Sequence, residues 1–368
     1  MSATAVNERL AALTAAGTSI WLDQLSRGLL ETGELARMVQ EESLRGVTSN
    51  PAIFEKSILG SADYDPELKA LADEGKTARE IYRSMALHDV QAACDVLRPV
   101  YDATGGIDGY VSWEVAPRLA HDTAGTLEQG RMYWDLVDRP NLMIKIPATE
   151  EGMPAIEEAL FDGLNINVTL LFSVAAYEQV MEAYIRAMER RLEAGKPLDR
   201  HSVASFFVSR VDTEVDKRLE GLGNTELLGT AGLANARAAY KAFERIFYGE
   251  RFAALKAAGC PVQRPLWAST GVKNPNYSPT LYVWGLVGPD TVNTMPMPVV
   301  KAAGSQGEVT GPTAADDPTA DLKALADAGI DMDDVTDKLL RDGIEAFMVP
   351  MQKLLDGIET KRVEITGG

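Results

Sequence analysis

The stretch LMIKIPA, Leu142 to Ala148, decides how the rest of the chain is read. It is apolar, contains β-branched residues and closes on a proline, which predicts a β-strand. Side chains alternate along a strand, so Leu142, Ile144 and Ile146 share one face while Met143, Lys145 and Pro147 share the other. An ammonium group inside such a strand needs a reason. A lysine that blunts an exposed sheet edge is one reading, but the aliphatic residues on both sides of Lys145 argue against an edge position.

Similar short runs recur along the chain. They are SIWLDQ (19–24), GVTSNP (46–51), GYVSWEV (109–115), INVTLLF (166–172), SVASFFVS (202–209), PLWAST (265–270) and DTVNTMP (290–296). Between them lie stretches with apolar residues three and four apart, such as ELARMVQEESL, PRLAHDTAGTLEQGRMYWDLV, EGMPAIEEALFDG and AAYEQVMEAYIRAMERRLEAG, which predict helices. Strand–helix alternation on this scale predicts an α/β fold, a (β/α)8 TIM barrel with additional helices. An open doubly wound sheet is the runner-up. The expected organisation is a single barrel domain over 1–368. It carries helical insertions at about 55–105 and 212–262, a loop at 304–319 and a C-terminal helical segment at about 320–368.

Bulk properties narrow the class. The chain has 368 residues, with Lys+Arg 36 against Asp+Glu 54 and a net charge of −18. That balance argues against nucleic-acid binding, which needs a basic face, but leaves room for a local basic pocket. Cys94 and Cys260 form no metal or redox motif and fit a reducing compartment. The N-terminal MSATAVNERLAALTAAG lacks the basic flank and apolar run of a secretory signal, and no apolar run approaches the ~20 residues of a membrane helix. These features predict a cytoplasmic protein without membrane or nucleic-acid partners.

Strand parity then collects the polar residues. If Ile20 and Leu22 face out, Trp21 and Asp23 face in; Thr48 and Asn50 share a face. With Val111, Trp113 and Val115 outside, Ser112 and Glu114 are inside; with Ile166, Val168 and Leu170 outside, Asn167 and Thr169 are inside. Ser205 and Phe207 lie opposite Phe206 and Val208. One lysine, two carboxylates, two amides and several hydroxyls thus converge near the C-terminal ends of the strands, where barrels carry their chemistry. Each has a structural alternative. Asp23 and Glu114 could simply pair with Lys145, Asn50-Pro51 could be only a turn, and Thr169 and Ser205 could be filler. Buried ion pairs are poor stabilisers, however, and the joint pattern points to function. A lysine in a dry pocket can act as a neutral amine that attacks a carbonyl to give a Schiff base, and two carboxylates in unlike surroundings can divide acid and base roles.

On these residues the chain resembles the transaldolase family, in its long actinobacterial-type branch. The likeness rests on WLDQLSRG (21–28), GVTSNPAIF (46–54), VSWEVAPRL (111–119), MIKIPATEEG (143–152), INVTLLFS (166–173), ASFFVSRVD (204–212) and STGVKNP (269–275), in that order. The resemblance implies transfer of a dihydroxyacetone unit from a ketose phosphate (sedoheptulose 7-phosphate or fructose 6-phosphate) to an aldose phosphate (glyceraldehyde 3-phosphate or erythrose 4-phosphate). The pathway would be the non-oxidative pentose phosphate branch, with no cofactor and no metal. By the same resemblance Lys145 is the Schiff-base lysine, Asp23 takes the C4 hydroxyl proton, and Glu114 acts through a water that Thr169 positions. Asn50 and Asn167, with Thr48 and Ser205, would hold the donor, Phe207 would form an aromatic wall and Arg210 would bind phosphate. The family often has a second phosphate arginine two residues after a serine on the seventh strand. Here the serine is Ser269, Gly271 stands in the arginine's place, and the next cation is Lys273. Lys273 is the expected replacement, supplying charge without a bidentate fork.

The expected partners are sugar phosphates, with the chain a monomer or homodimer. Two other functions remain open at this point: an aldolase on the same scaffold that releases the three-carbon unit, and a non-catalytic sugar-phosphate-binding barrel. A metal-dependent hydrolase would want clustered ligands at strand ends, whereas His88, His121 and His201 sit in helical stretches or before a strand.

Overall fold

The computed structural model describes residues 6–366. The first five residues of the N-terminal stretch and the last two of the expected 1–368 span lie outside the described residues. Eight parallel strands close into a barrel in sequential order. They are β1 (Thr18–Leu22), β2 (Leu44–Thr48), β3 (Tyr110–Glu114), β4 (Leu142–Pro147), β5 (Ile166–Leu171), β6 (Ser202–Phe207), β7 (Arg264–Ala268) and β8 (Thr291–Met295). Every strand lies where the sequence predicts one. The open sheet is ruled out by the β1–β8 pairing, in which Trp21 sits opposite Thr294.

The alternation has the predicted physical basis. Leu142, Ile144 and Ile146, with Val111, Trp113, Ile166 and Val168, pack outward in the layer between barrel and helices. Burying each large aliphatic or aromatic side chain there contributes roughly 1.5–3 kcal/mol. Inside, Trp21, Tyr110, Met143, Val203, Leu266 and Val292 supply one apolar side chain from each of six strands and fill the barrel beneath its mouth. Gly46 takes part by what it lacks: a Cβ there would stand 2.5 Å from the Trp21 indole, so β2 must leave this inner position empty.

Further helices lie outside the regular strand–helix alternation. After β2 come helices Pro51–Gly60, Asp65–Asp73 and Ala78–Ala103, and after β6 come Ser209–Gly221, Ala231–Phe247 and Glu250–Ala257. The C-terminal part forms helices Thr319–Asp327 and Met332–Thr366, the second of which crosses toward the barrel mouth. The loop read at 304–319 contains a short 3-10 turn, Thr313–Ala315.

Three local readings change. The helix expected over PRLAHDTAGTLEQGRMYWDLV divides into a 3-10 turn at Pro117–Leu119 and a helix at Thr123–Val137, capped by the Asp122 side chain on the Gly125 amide. His121 therefore lies in the intervening turn. Leu170 does not face outward: its φ is +59°, and the β5–β6 register shifts between Val168 and Leu171. This bulge turns Leu170 to the inner cluster with Phe172 and Phe207 and gives the outward place to Leu171. Asn50 lies past the end of β2 and caps helix Pro51–Gly60, its Oδ1 accepting the Ile53 amide at 3.0 Å. Proline at the first helical position completes that start signal.

Candidate active site

Parallel pairing sets the site before any side chain is considered. Glu114 is the register partner of Lys145 across β3–β4, and Asn167 is its partner across β4–β5. Thr169 stands opposite Pro147, and Thr48 opposite Ser112. Lys145 therefore has a carboxylate on one side and an amide on the other. Lys145 and Glu114 are almost wholly buried, at 4% and 6% exposure. The ammonium lies 3.2 Å from Glu114 Oε2 and donates to the Ser49 carbonyl at 3.1 Å.

Above Lys145 opens a cavity of about 220 Å³. Asp23, Thr48, Asn50, Thr169, Ser205 and Phe207 line it, with Arg210, Ser269 and Lys273 toward the rim. Of the predicted residues only Glu114 and Asn167 are absent from its wall. They lie behind it, Glu114 against Lys145 and Asn167 tied into a chain in which it donates to Ser112 Oγ at 3.0 Å and accepts from Ser205 Oγ at 2.7 Å.

The hydrogen bonding is uneven in a way that suits chemistry. Asp23 Oδ1 accepts from Thr48 Oγ1 at 2.7 Å, and Thr48 Oγ1 lies 2.6 Å from Thr294 Oγ1. Thr169 Oγ1 is fully buried with no protein partner. A buried hydroxyl left unpaired costs about 1–3 kcal/mol, and this one lines the same cavity as Lys145 and Asp23. Ser269 holds a left-handed backbone, φ +54°, which costs roughly 1–3 kcal/mol in a non-glycine residue. Two contacts to Ser209 fix it: its hydroxyl lies 2.8 Å from Ser209 Oγ, and its carbonyl accepts the Ser209 amide at 3.1 Å.

Burial pushes both carboxyl groups upward from their ordinary values, with the Lys145 charge opposing the shift in each. For Asp23 the Thr48 hydrogen bond, Arg210 and Lys273 also oppose it; for Glu114 the charge of Asp23 adds to it. Burial pushes the Arg210 guanidinium downward, against the pull of Asp23 and Glu114. Arg210 has no ion pair or hydrogen bond among the described residues; it lies 5.1 Å from the Phe207 ring centroid. Lys273 is exposed and likewise unpaired. Three cations and two carboxylates thus share one mouth in a strongly acidic chain, a local field suited to an anion. Among the described residues no three His, Cys, Asp or Glu side chains group as they would around a metal ion, and no helix is long and apolar enough to cross a membrane.

Two contributors escape the sequence reading. Thr294 faces inward from β8, where the parity applied to the other strands would have found it. Phe347 reaches the cavity from the C-terminal helix, its ring centroid 5.5 Å from Lys145 Nζ and 5.9 Å from Arg210 Cζ. In sequence it is one more apolar residue on a helical stripe.

Comparison with known proteins gives the chain a family. The family model described as Transaldolase/Fructose-6-phosphate aldolase covers residues 20–358. A transaldolase of Mycolicibacterium smegmatis is 51% identical over 362 residues, 96% of this chain and 98% of that protein. A transaldolase of Acidothermus cellulolyticus is 53% identical over 348 residues, 93% of this chain and 94% of that protein. One from Mycobacterium tuberculosis is 49% identical over 360 residues, 96% of each chain. With the lysine, its two carboxylates and the closed barrel in place, the chain belongs to the transaldolase/fructose-6-phosphate aldolase family.

Proposed function

We propose that this chain is a transaldolase: it moves a dihydroxyacetone unit from a ketose phosphate to an aldose phosphate through a Schiff base on Lys145. The donor would be sedoheptulose 7-phosphate or fructose 6-phosphate, and the acceptor glyceraldehyde 3-phosphate or erythrose 4-phosphate. The single observation that carries the reading is a buried amine held 3.2 Å from one carboxylate, beneath a cavity that a second carboxylate lines and two unpaired cations rim.

Lys145 attacks the donor's C2 carbonyl. Glu114, through a water held by Thr169, moves the protons that turn the carbinolamine into an iminium and release water; the unpaired Thr169 hydroxyl supports that role. The iminium draws electrons from the C3–C4 bond while Asp23 takes the C4 hydroxyl proton. The aldose phosphate leaves and an enamine stays on the lysine. A new aldose phosphate then reverses the sequence. Asn50, Asn167, Thr48 and Ser205 hold the three-carbon unit's hydroxyls, Phe207 walls it, and Arg210 binds the phosphate, with Lys273 and Ser269 beside it. In this reading the chain acts as one barrel unit in the cytoplasm, within the non-oxidative pentose phosphate pathway, as a monomer or homodimer.

The test is transfer itself. Protein mixed with fructose 6-phosphate and erythrose 4-phosphate should yield sedoheptulose 7-phosphate and glyceraldehyde 3-phosphate in equal amounts by mass spectrometry. Free dihydroxyacetone with no seven-carbon product would replace the transferase with an aldolase. No turnover of either kind would leave a binding protein.

A further inference from the structure

The C-terminal helix, Met332–Thr366, is a crossbar over the barrel mouth. One end is tied to helix Ser209–Gly221 by Arg218–Asp334 at 2.6 Å and Lys338–Glu214 at 3.2 Å. The other is tied to helices Pro51–Gly60 and Asp65–Asp73 by Lys353–Glu55 at 2.5 Å and Lys361–Asp65 at 2.6 Å. Between the anchors Leu339, Gly343 and Phe347 follow at four-residue spacing and share one face. Gly343 brings that face close to the barrel: a Cβ there would meet Leu170 at 3.0 Å, at the very bulge that turns Leu170 inward. Phe347 is the one buried residue in the run 345–349, at 4% exposure, while Met348 and Val349 beside it are 37% and 57% exposed. Pro350, three residues on, lies inside the helix and cannot donate to the Ala346 carbonyl.

We propose that Phe347 is a shield that favours transfer, keeping bulk water, as distinct from the single water at Thr169, from the lysine-bound three-carbon unit until an aldose acceptor arrives. The proposal rests on the transfer reading above. The competing reaction is simple. The enamine carbon takes a proton, water adds to the C=N carbon, and the C–N bond breaks to return the Lys145 amine and release dihydroxyacetone. The water consumed equals the water lost when the Schiff base formed. The Phe347 ring, 5.5 Å from Lys145 Nζ and 5.9 Å from Arg210 Cζ, covers the amine from the side of the C-terminal helix, and exclusion of water from a closed site is a recognised protection for reactive intermediates. Phe347 acts by shielding; it takes no proton and forms no bond.

The test measures partition. With fructose 6-phosphate as donor and a fixed amount of erythrose 4-phosphate, the ratio of dihydroxyacetone released to sedoheptulose 7-phosphate formed is compared in wild type, Phe347→Ala and Phe347→Leu, alongside borohydride trapping of the adduct. Phe347→Ala should raise the ratio by roughly tenfold, equal to about 1.4 kcal/mol of lost discrimination against water. Phe347→Leu, which keeps an apolar cover, should fall between. A merely structural role would lower both fluxes together and leave the ratio unmoved. An adduct that forms normally with an unchanged ratio in both variants overturns this proposal alone. No adduct in wild type overturns it together with the transfer reading.

Discussion

The barrel carries a buried cation–carboxylate pair at each end, and the two are built differently. At the base, Arg264 Nη2 donates to Asp108 Oδ1 at 2.8 Å and Arg264 Nη1 to Ser19 Oγ at 2.9 Å. Ser19 Oγ donates to Asp108 Oδ2 at 2.6 Å, and Trp21 Nε1 to Oδ1 at 3.2 Å. Both oxygens of that carboxylate are satisfied. At the mouth, Glu114 Oε2 has the Lys145 ammonium, 3.2 Å away, as its one partner, Thr169 Oγ1 has none, and Arg210 is unpaired among the described residues. A saturated pair holds a shape, whereas an undersaturated one keeps lone pairs and protons free for something that arrives. On the proposed function, the same interior serves structure at one end and chemistry at the other.

Replacement of the lysine should break this comparison most severely. Lys145→Arg keeps a cation beside Glu114 but cannot supply a neutral amine, so transfer should fall to background with the circular dichroism spectrum unchanged. Turnover surviving in that variant would make the mouth pair as structural as the base pair. Asp108→Ala should do the opposite. Left without its partner in a buried site, Arg264 should destabilise the fold by about 3–5 kcal/mol in chemical denaturation, while kcat per folded molecule stays close to wild type.

Next in size are the two mouth carboxylates. Asp23→Asn and Glu114→Gln should each slow kcat by roughly 10²-fold, the scale of a lost acid or base group. The pH profile carries a sign. In the proposed mechanism Asp23 must be ionised to accept a proton, so activity should fall as pH drops through its pKa. Because burial pushes it upward, the acidic limb of kcat/KM should lie above the ~4 of an ordinary aspartate. A limb at or below that value would mean that another group governs it. The rim cations should give the smallest effects. Arg210→Ala should raise KM for the phosphorylated donor by roughly 10- to 100-fold, matching loss of a charged hydrogen bond worth about 1.5–3 kcal/mol. Lys273→Ala, at an exposed position, should cost only roughly two- to fivefold. Equal effects at the two positions would show that Lys273 carries as much of the phosphate as the arginine.

The sequence speaks clearly where a period of two repeats and both faces are constrained. Ile144, Lys145 and Ile146 declare their faces because the outer layer accepts only aliphatics, and the same parity brings Asp23, Glu114, Asn167, Thr169 and Ser205 to one end. It fails where the period breaks. Leu170 looks outward until the left-handed residue in β5 shifts the count by one, and no residue type announces that bulge. It is silent where a contribution comes from far along the chain: Phe347 lies about 200 residues from Lys145, and its spacing says helix and nothing more. The base pair was also out of reach, because Asp108 precedes β3 in a turn and Arg264 opens β7 next to a proline.

The most direct test of the account is to trap the covalent intermediate. Protein incubated with fructose 6-phosphate, reduced with borohydride and digested, should show a three-carbon adduct on the peptide that contains Lys145 and on no other lysine. Adding erythrose 4-phosphate before the reductant should discharge it. An adduct on a different lysine, or none on folded protein across several pH values, would contradict the claim that the undersaturated pair at the barrel mouth is the reacting centre.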